Sequence, residues 1–232
     1  MRTSVTLTQM KRFVPRRLKR ATRDALLDRK FRRAVNRVSK LPPGVTPDRQ
    51  LLTDLIAGWG NEGFAAQLDY LEEVAARAAM TRGPILECGS GLTSIIMGLL
   101  AGRRGVEIWS LEHFPDWRTR VMSAVQRSHI PNVHICLAPL KSFGDFQWYS
   151  PPLQEMPSEF QLVVCDGPPG NTMGGRYGLL PVMRERLSKD VVVLLDDASR
   201  PGEAEVLQRW MTETNLEVTS PVGATFAVLT RK

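Results

Sequence analysis

Two apolar runs in this chain end on acids. Phe160-Gln-Leu-Val-Val-Cys165 leads into Asp166, and Val191-Val-Val-Leu-Leu195 leads into the adjacent pair Asp196 and Asp197, with Arg200 just beyond. If the runs are neighbouring parallel strands, their carboxyl ends bring all three carboxylates to one rim, where ligands of open α/β sheets bind. Crowded carboxylates repel, so such a rim needs a proton, an arginine or a bound cation. Three readings follow from the residue types. Oxygen donors of this kind suit Mg2+, Mn2+ or Ca2+, which makes Asp166, Asp196 and Asp197 candidate metal ligands. Without a metal, Asp166 is a candidate general base and Arg200 a partner for Asp196 or Asp197. In the third reading an aspartate, or Ser199, caps the helix expected from Pro201.

A second constellation is Ile85-Leu-Glu-Cys-Gly-Ser-Gly-Leu-Thr-Ser-Ile95. Gly89 and Gly91, on either side of Ser90, let the backbone turn sharply and approach a ligand, and the helix expected from Thr93 points its free amides toward it. A dinucleotide fingerprint would place glycine at Ser94, and an acid inside the strand at Glu87 is foreign to that class. An acid beside the turn suits a ligand carrying positive charge. In Trp109-Ser-Leu-Glu-His113, Glu112 lies where an α/β nucleotide site puts a carboxylate on the ribose hydroxyls. His113 beside it reads first as a packing or hydrogen-bonding residue. The stretch from Asp166 to Tyr177, "DGPPGNTMGGRY", is a loop over the rim. Arg176 and Tyr177 at its end are candidates for binding an acidic or hydroxylated substrate. The competing reading gives the arginine to an acid and the tyrosine to loop packing.

The elements that must position these residues are legible as short apolar runs alternating with helical patterns. The runs are 84–88, 106–111, 133–137, 160–165, 191–195, 216–219 and 225–229. Most are apolar on successive residues, as expected for strands covered on both faces of a parallel sheet. Helical spacing predicts helices near 48–57 and 62–80, the second with Phe64, Leu68, Leu71, Val74, Ala75 and Ala78 on one face. The fold class expected is therefore α/β, a doubly wound, mostly parallel sheet. A chain of 232 residues, 43% hydrophobic and 24% charged, fits one such domain with appendages. The three cysteines, Cys88, Cys136 and Cys165, fall in or near apolar runs and read as small buried hydrophobes.

The net charge of +7 conceals an asymmetry. Residues 1–40 carry 14 Lys and Arg against Asp24 and Asp28, so the rest of the chain is net acidic. Leu18, Ala21, Leu26, Leu27, Phe31, Ala34, Val35 and Val38 recur there at helical spacing, describing a basic amphipathic helix. It is expected to pack its stripe on the body, to lie on an anionic membrane surface, or to meet nucleic acid, the last being the least favoured. Residues 41–47, "LPPGVTP", are a hinge, dividing an arm and linker (1–47) from the body (48–232). No stretch has the length of a membrane span or the form of a secretory signal, so the expected place is the cytoplasm, with peripheral contact at the inner membrane surface.

Taken in order, "ILECGSGLTS", "IWSLEH", "LVVCDGPPG" and "VVLLDDASR" resemble the class I S-adenosylmethionine-dependent methyltransferases, from about Pro84 to the end of the chain. The resemblance implies a Rossmann-like sheet of seven strands whose final strand is inserted antiparallel. It implies S-adenosyl-L-methionine as cofactor, with Glu87, Gly89, Ser90 and Gly91 along its methionine and ribose part and Glu112 on the ribose hydroxyls, beside His113. Leu137, Ala138, Pro139 and Leu140 would flank the adenine, with Asp166 also at the cofactor. The chain departs from the family in lacking a polar residue after the third strand and in having Thr93 where a third glycine is common. Methyltransferases similar to catechol O-methyltransferase hold a divalent ion with acids at the same two strand ends. Asp166 and Asp196 match that pattern, while Asp197 replaces a common asparagine. The expected activity is methyl transfer to a hydroxyl of a small molecule or glycan, with Asp166, Asp196 and Arg200 as catalytic candidates and Mg2+ or Mn2+ as a second cofactor. A homodimer is compatible with it. Alternatives are an RNA or protein methyltransferase docking substrate through the arm, an NAD-dependent oxidoreductase on a similar fold, and a noncatalytic binding module.

Overall fold

The computed structural model describes residues 16–60, 66–221 and 223–232, and side chains from residue 22 onward within them. The side chains of Leu18 and Ala21, and the stretch 62–65 with Phe64, lie outside the described residues. In chain order the elements are α1 (Arg16–Val38), α2 (Arg49–Trp59), α3 (Leu68–Met80), β1 (Ile85–Cys88), α4 (Leu92–Ala101), β2 (Ile108–Glu112), α5 (Pro115–Arg127), β3 (Val133–Leu137), β4 (Leu140–Ser142), β5 (Gln147–Tyr149), β6 (Phe160–Cys165), α6 (Leu179–Met183), β7 (Leu187–Leu195), α7 (Pro201–Glu213), β8 (Leu216–Val218) and β9 (Ala227–Arg231).

Seven strands form one sheet in the order β3-β2-β1-β6-β7-β9-β8. Strands β3, β2, β1, β6 and β7 are parallel, and β9 is inserted antiparallel to both β7 and β8. The unbroken apolar runs follow from this layering. Leu162 and Val164 of β6 face one core, while Val163 and Cys165 face the other, so the strand is apolar from 162 to 165, and its one polar residue, Gln161, lies near its start, where it accepts the Gly83 N–H. The first core is built with α1 to α5, and the second with α6, α7 and an antiparallel ribbon formed by β4 and β5.

The sequence pattern gives no sign of that ribbon. Its strands have three residues each and mixed polarity, too short for a period-two signal, yet Trp148 and Tyr149 of β5 are fully buried. Strand β7 starts at Leu187, before the expected Val191, because the exposed Lys189 and Asp190 interrupt the apolar run without ending the extended backbone. Cys88 and Cys165 are buried and Cys136 half-buried, all as free thiols.

The basic helix α1 docks on the body. Phe31, Ala34, Val35 and Val38 are buried in the same core as Leu52, Leu55 and Trp59 of α2, and Lys30 and Arg37 both pair with Asp54. Arg23, Arg29, Arg32, Arg33 and Arg37 remain on its exposed side. No described helix is long and apolar enough to cross a membrane. Helix α2 is capped at Asp48, whose Oδ1 accepts the Leu51 N–H at 2.7 Å, and ends at Gly60 with φ 69°.

The two helices approach at Gly58, where a Cβ would lie 2.6 Å from the Phe31 backbone nitrogen. Alanine is intrinsically the better helix former by about 1 kcal/mol. Gly58→Ala is nevertheless expected to lower the melting temperature, because backbone on both sides must part to admit the methyl. An unchanged or raised melting temperature in a thermal unfolding scan would refute this account of the α1–α2 contact.

Candidate active site

Strand β1 ends in the Gly89-Ser90-Gly91 turn, which delivers the chain into α4. Gly89 has φ 88°, and a Cβ there would meet the Gly167 backbone at 3.2 Å, so the turns after β1 and β6 are in close approach. Around Gly91, by contrast, a Cβ would meet nothing within 4 Å. Glu112, buried at the end of the adjacent β2, faces this turn. Its Oε2 accepts from the Ser90 N–H at 3.2 Å and the Ser90 hydroxyl at 2.8 Å, and its Oε1 accepts from the Phe114 N–H at 2.9 Å. The Trp117 indole donates to the Ser90 carbonyl at 2.7 Å, and Arg120 lies between the Trp117 and Trp59 rings while donating to the Trp59 carbonyl. His113 places Nδ1 3.4 Å from Glu112 Oε1, yet that nitrogen has no hydrogen-bond partner among the described residues.

Glu87 lies beneath the turn, wholly buried. Its carboxylate accepts from the hydroxyls of Thr93 at 2.5 Å, Ser94 at 2.5 Å and Ser110. The two positions that depart from the glycine patterns, Thr93 and Ser94, are therefore the ones that satisfy this acid, and Ser94 also accepts the Gly91 N–H at 3.0 Å. Burial pushes the Glu87 carboxyl up to about 7 against the opposing pull of Ser110, Ser94 and Thr93.

The acid rim forms at the ends of β6 and β7 as their register dictates: Cys165 pairs with Leu195, and Asp166 and Asp196 follow side by side. Oxygens of Asp166, Asp196 and Asp197 lie within 4.8 Å of one another. Asp197 takes a left-handed backbone, φ 55°, and its N–H donates to Asp196 Oδ1 at 2.8 Å.

Arg176 lies beneath the rim, 2% exposed. Its Nη2 donates to the Asp166 carbonyl at 2.8 Å, Asp166 Oδ1 at 3.1 Å and Asp197 Oδ2 at 3.2 Å, and Nη1 donates to the Asp196 carbonyl. Buried Glu203 of α7 stands 3.8 Å from its Nε. Arg200 pairs with Asp197 at 2.8 Å from the exposed side. Tyr177, its hydroxyl donating to Glu213 at 2.6 Å, packs edge-on against Phe146 with Arg209 over its ring. Both side chains named as substrate candidates are thus engaged within the protein. Neither Ser199 nor an aspartate caps α7; Arg200 occupies the cap position without a side-chain hydrogen bond.

Desolvation pushes the Asp166 carboxyl up to about 8; Arg176 opposes this, and Asp196 and Asp197 add to it. Asp196 and Glu203 are raised as well, first by burial. With all four carboxylates ionised, the two arginines leave two negative charges uncompensated. The rim therefore accepts a proton, or has the hard oxygen donors and residual charge that fit a divalent cation.

Three further residues contribute that the residue pattern did not single out. Trp117 stands in a charged helical stretch and Tyr149 beside Trp148, neither within a recognisable motif; Glu203 reads as a surface acid of a first helical turn. Ala138 is buried and Leu140 half-buried on β4, whereas Leu137 and Phe114, at the ends of β3 and β2, are large apolar side chains left exposed.

The fold is that of the class I S-adenosylmethionine-dependent methyltransferases. The S-adenosylhomocysteine-bound Podospora anserina methyltransferase PaMTH1 superposes with a TM-score of 0.57 at 14% identity, over 96% of this chain and 99% of that one. A Geobacter sulfurreducens methyltransferase gives 0.56 at 11% identity, over 82% and 92%. A Thermotoga maritima protein described as an S-adenosylmethionine-dependent O-methyltransferase gives 0.50 at 10% identity, over 71% and 64%. No family model and no curated protein sequence matches the chain.

Glu87 supplies a pH test. Its folded-state pKa, about 7, lies above that of an unfolded glutamate, so the folded state holds the proton more tightly. That stability is fully present below about pH 4 and is lost as pH rises through 7. Glu87→Gln keeps the shape and removes the titration. Its melting temperature is expected to gain on wild type between pH 5 and 8, by about 2–4 °C for each ~1 kcal/mol. Parallel wild-type and variant curves in a scan across that range would contradict the assignment.

Proposed function

We propose that the protein is an S-adenosyl-L-methionine-dependent methyltransferase acting on a hydroxyl of a small molecule or glycan. The observation that carries this reading is buried Glu112 at the β2 terminus, facing the Gly89 turn one strand from the acid rim. This arrangement suits a ligand with ribose hydroxyls at one end and positive charge at the other. The open space at Gly91 and the unpartnered Nδ1 of His113 fit a ligand in that crevice. Exposed Phe114 and Leu137 offer apolar surface at the strand ends where a base would lie.

When bound, the cofactor supplies an electrophilic methyl carbon, to which the acceptor oxygen bonds while the carbon–sulfur pair stays on sulfur. The chain's own work is to hold the reactants in line and to receive the hydroxyl proton. Asp166 is the residue we assign to the second task. With its pKa raised to about 8, Asp166 in its ionised form is a stronger base than an ordinary carboxylate, and that form becomes available as pH rises toward 8. Arg176 fixes its carbonyl and one carboxylate oxygen, leaving the other oxygen free of described hydrogen bonds. Asp166, Asp196 and Asp197 would hold Mg2+ or Mn2+, which would lower the acceptor's pKa. A hydroxyl acceptor is favoured by this acidic rim and by "DGPPG" standing where many amino-methylating enzymes have Asn/Asp-Pro-Pro-Tyr/Phe.

Calorimetry with S-adenosylhomocysteine tests the cofactor reading. Glu112→Gln is expected to weaken binding about tenfold or more, the loss that goes with hydrogen bonds to a charged group. Equal affinities would remove the ribose role, and methyl labelling of RNA alone in an acceptor survey would overturn the small-molecule reading. Manganese titrated into the protein saturated with S-adenosylhomocysteine should give stoichiometric heat that Asp166→Ala abolishes. Absence of heat would leave the rim to Arg176 and protons.

A further inference from the structure

Between β3 and β6 the chain inserts the β4–β5 ribbon, and the last residue of β5, Tyr149, reaches back over the strand ends. Tyr149 is 1% exposed and packs in the same core as Cys88, Leu111 and Ala138, with its ring 6.1 Å from that of His113. Its hydroxyl projects into the junction of the two turns. A Cβ on Gly167 would lie 2.3 Å from that oxygen and 3.1 Å from the Gly89 Cα. A buried phenol ordinarily finds a hydrogen-bond partner. This one has none among the described residues, and its oxygen is not among the fully sealed polar atoms. Space is reserved for it too, since Gly167 must lack a side chain for the hydroxyl to stand there.

A cofactor held at its ribose by Glu112, on β2, must cross the Gly89 turn of β1 to bring its methyl to the acids on β6 and β7. The hydroxyl lies at that crossing. We propose that Tyr149 is a positioning residue whose hydroxyl oxygen contacts the sulfonium end of bound S-adenosyl-L-methionine and so favours the charged cofactor over its uncharged product. This rests on the cofactor reading above. Burial, then the nearby Cys88, Glu112, Cys165 and Asp166, hold the phenol well above its ordinary pKa. The group acts as a neutral dipole, presenting lone pairs to the positive sulfur and its methyl hydrogens, a weak contact that is directional.

The test is a calorimetric comparison of S-adenosylmethionine and S-adenosylhomocysteine on wild type and Tyr149→Phe, which keeps the buried ring. The two ligands differ in the methyl and the charge, so their affinity ratio reports on what surrounds the sulfur. The variant is expected to lose about five- to tenfold in affinity for S-adenosylmethionine and to bind S-adenosylhomocysteine as wild type does. An equal loss for both ligands, complete loss included, would mean that Tyr149 only packs, and an unchanged ratio with unchanged affinities would overturn the proposal outright. Failure of the wild-type protein to bind either ligand would refute the cofactor reading itself, an outcome distinct from these.

Discussion

A guanidinium buried between two strand ends is the constraint on which the rest of the rim depends. Arg176 accepts nothing and must donate, and its donors reach the carbonyls of both Asp166 and Asp196, the first residues past β6 and β7. One side chain therefore ties the two strand termini together and fixes where their carboxylates stand. A lysine, with a point charge on a flexible stem, has no planar fork to bridge two carbonyls and two carboxylates at once. Burial by itself would lower the pKa of this arginine, but Asp166 and Glu203 are among the groups that raise it, so the charge persists where solvent does not reach. The acids that crowd the rim are also what make its buried cation tolerable.

The other wall of the crevice solves the same problem with neutral partners. Among the described residues Glu87 has no ion-pair partner and is met by three hydroxyls, contributed by the start of α4 and by β2. Hydroxyls rotate, and can serve either the ionised or the protonated carboxyl. The turn carried above Glu87 thus keeps its shape whichever form is present, while Glu112, held by two backbone amides and the Ser90 hydroxyl, keeps its carboxylate fixed toward the crevice.

Legibility in the sequence followed the strength of local signals. Strands sandwiched between two cores announce themselves as unbroken apolar runs, so the sheet and the positions of Glu87, Glu112, Asp166 and Asp196 at its carboxyl edge could be read directly. Glycine spacing exposed the Gly89 turn. What stayed hidden depends on contacts across the chain. Arg176 and Glu203 meet only because the loop after β6 folds beneath the start of α7. Thr93 and Ser94 look like lost glycines until Glu87 is seen under them. The β4–β5 ribbon is too short to have a period, and with it Tyr149 went unnoticed. The arm is a mixed case: its amphipathic spacing was plain, whereas its resting place depends on Gly58, a residue whose importance is the absence of a side chain.

The charge balance at the rim also bears on how its acids divide their work. Asp166 holds one oxygen toward Arg176 and leaves the other free of described hydrogen bonds, and its pKa of about 8 belongs to a site whose cations among the described residues are arginines. A divalent ion on that free oxygen would displace the proton and draw the pKa down, so Asp166 cannot be ligand and strong base together. If the rim takes a cation, the acceptor's proton must leave to solvent. If it does not, the proton goes to Asp166, and burial together with the neighbouring Asp196 and Asp197 holds it there. The same three aspartates therefore support two mechanisms that exclude each other, and the occupant of the free oxygen decides between them.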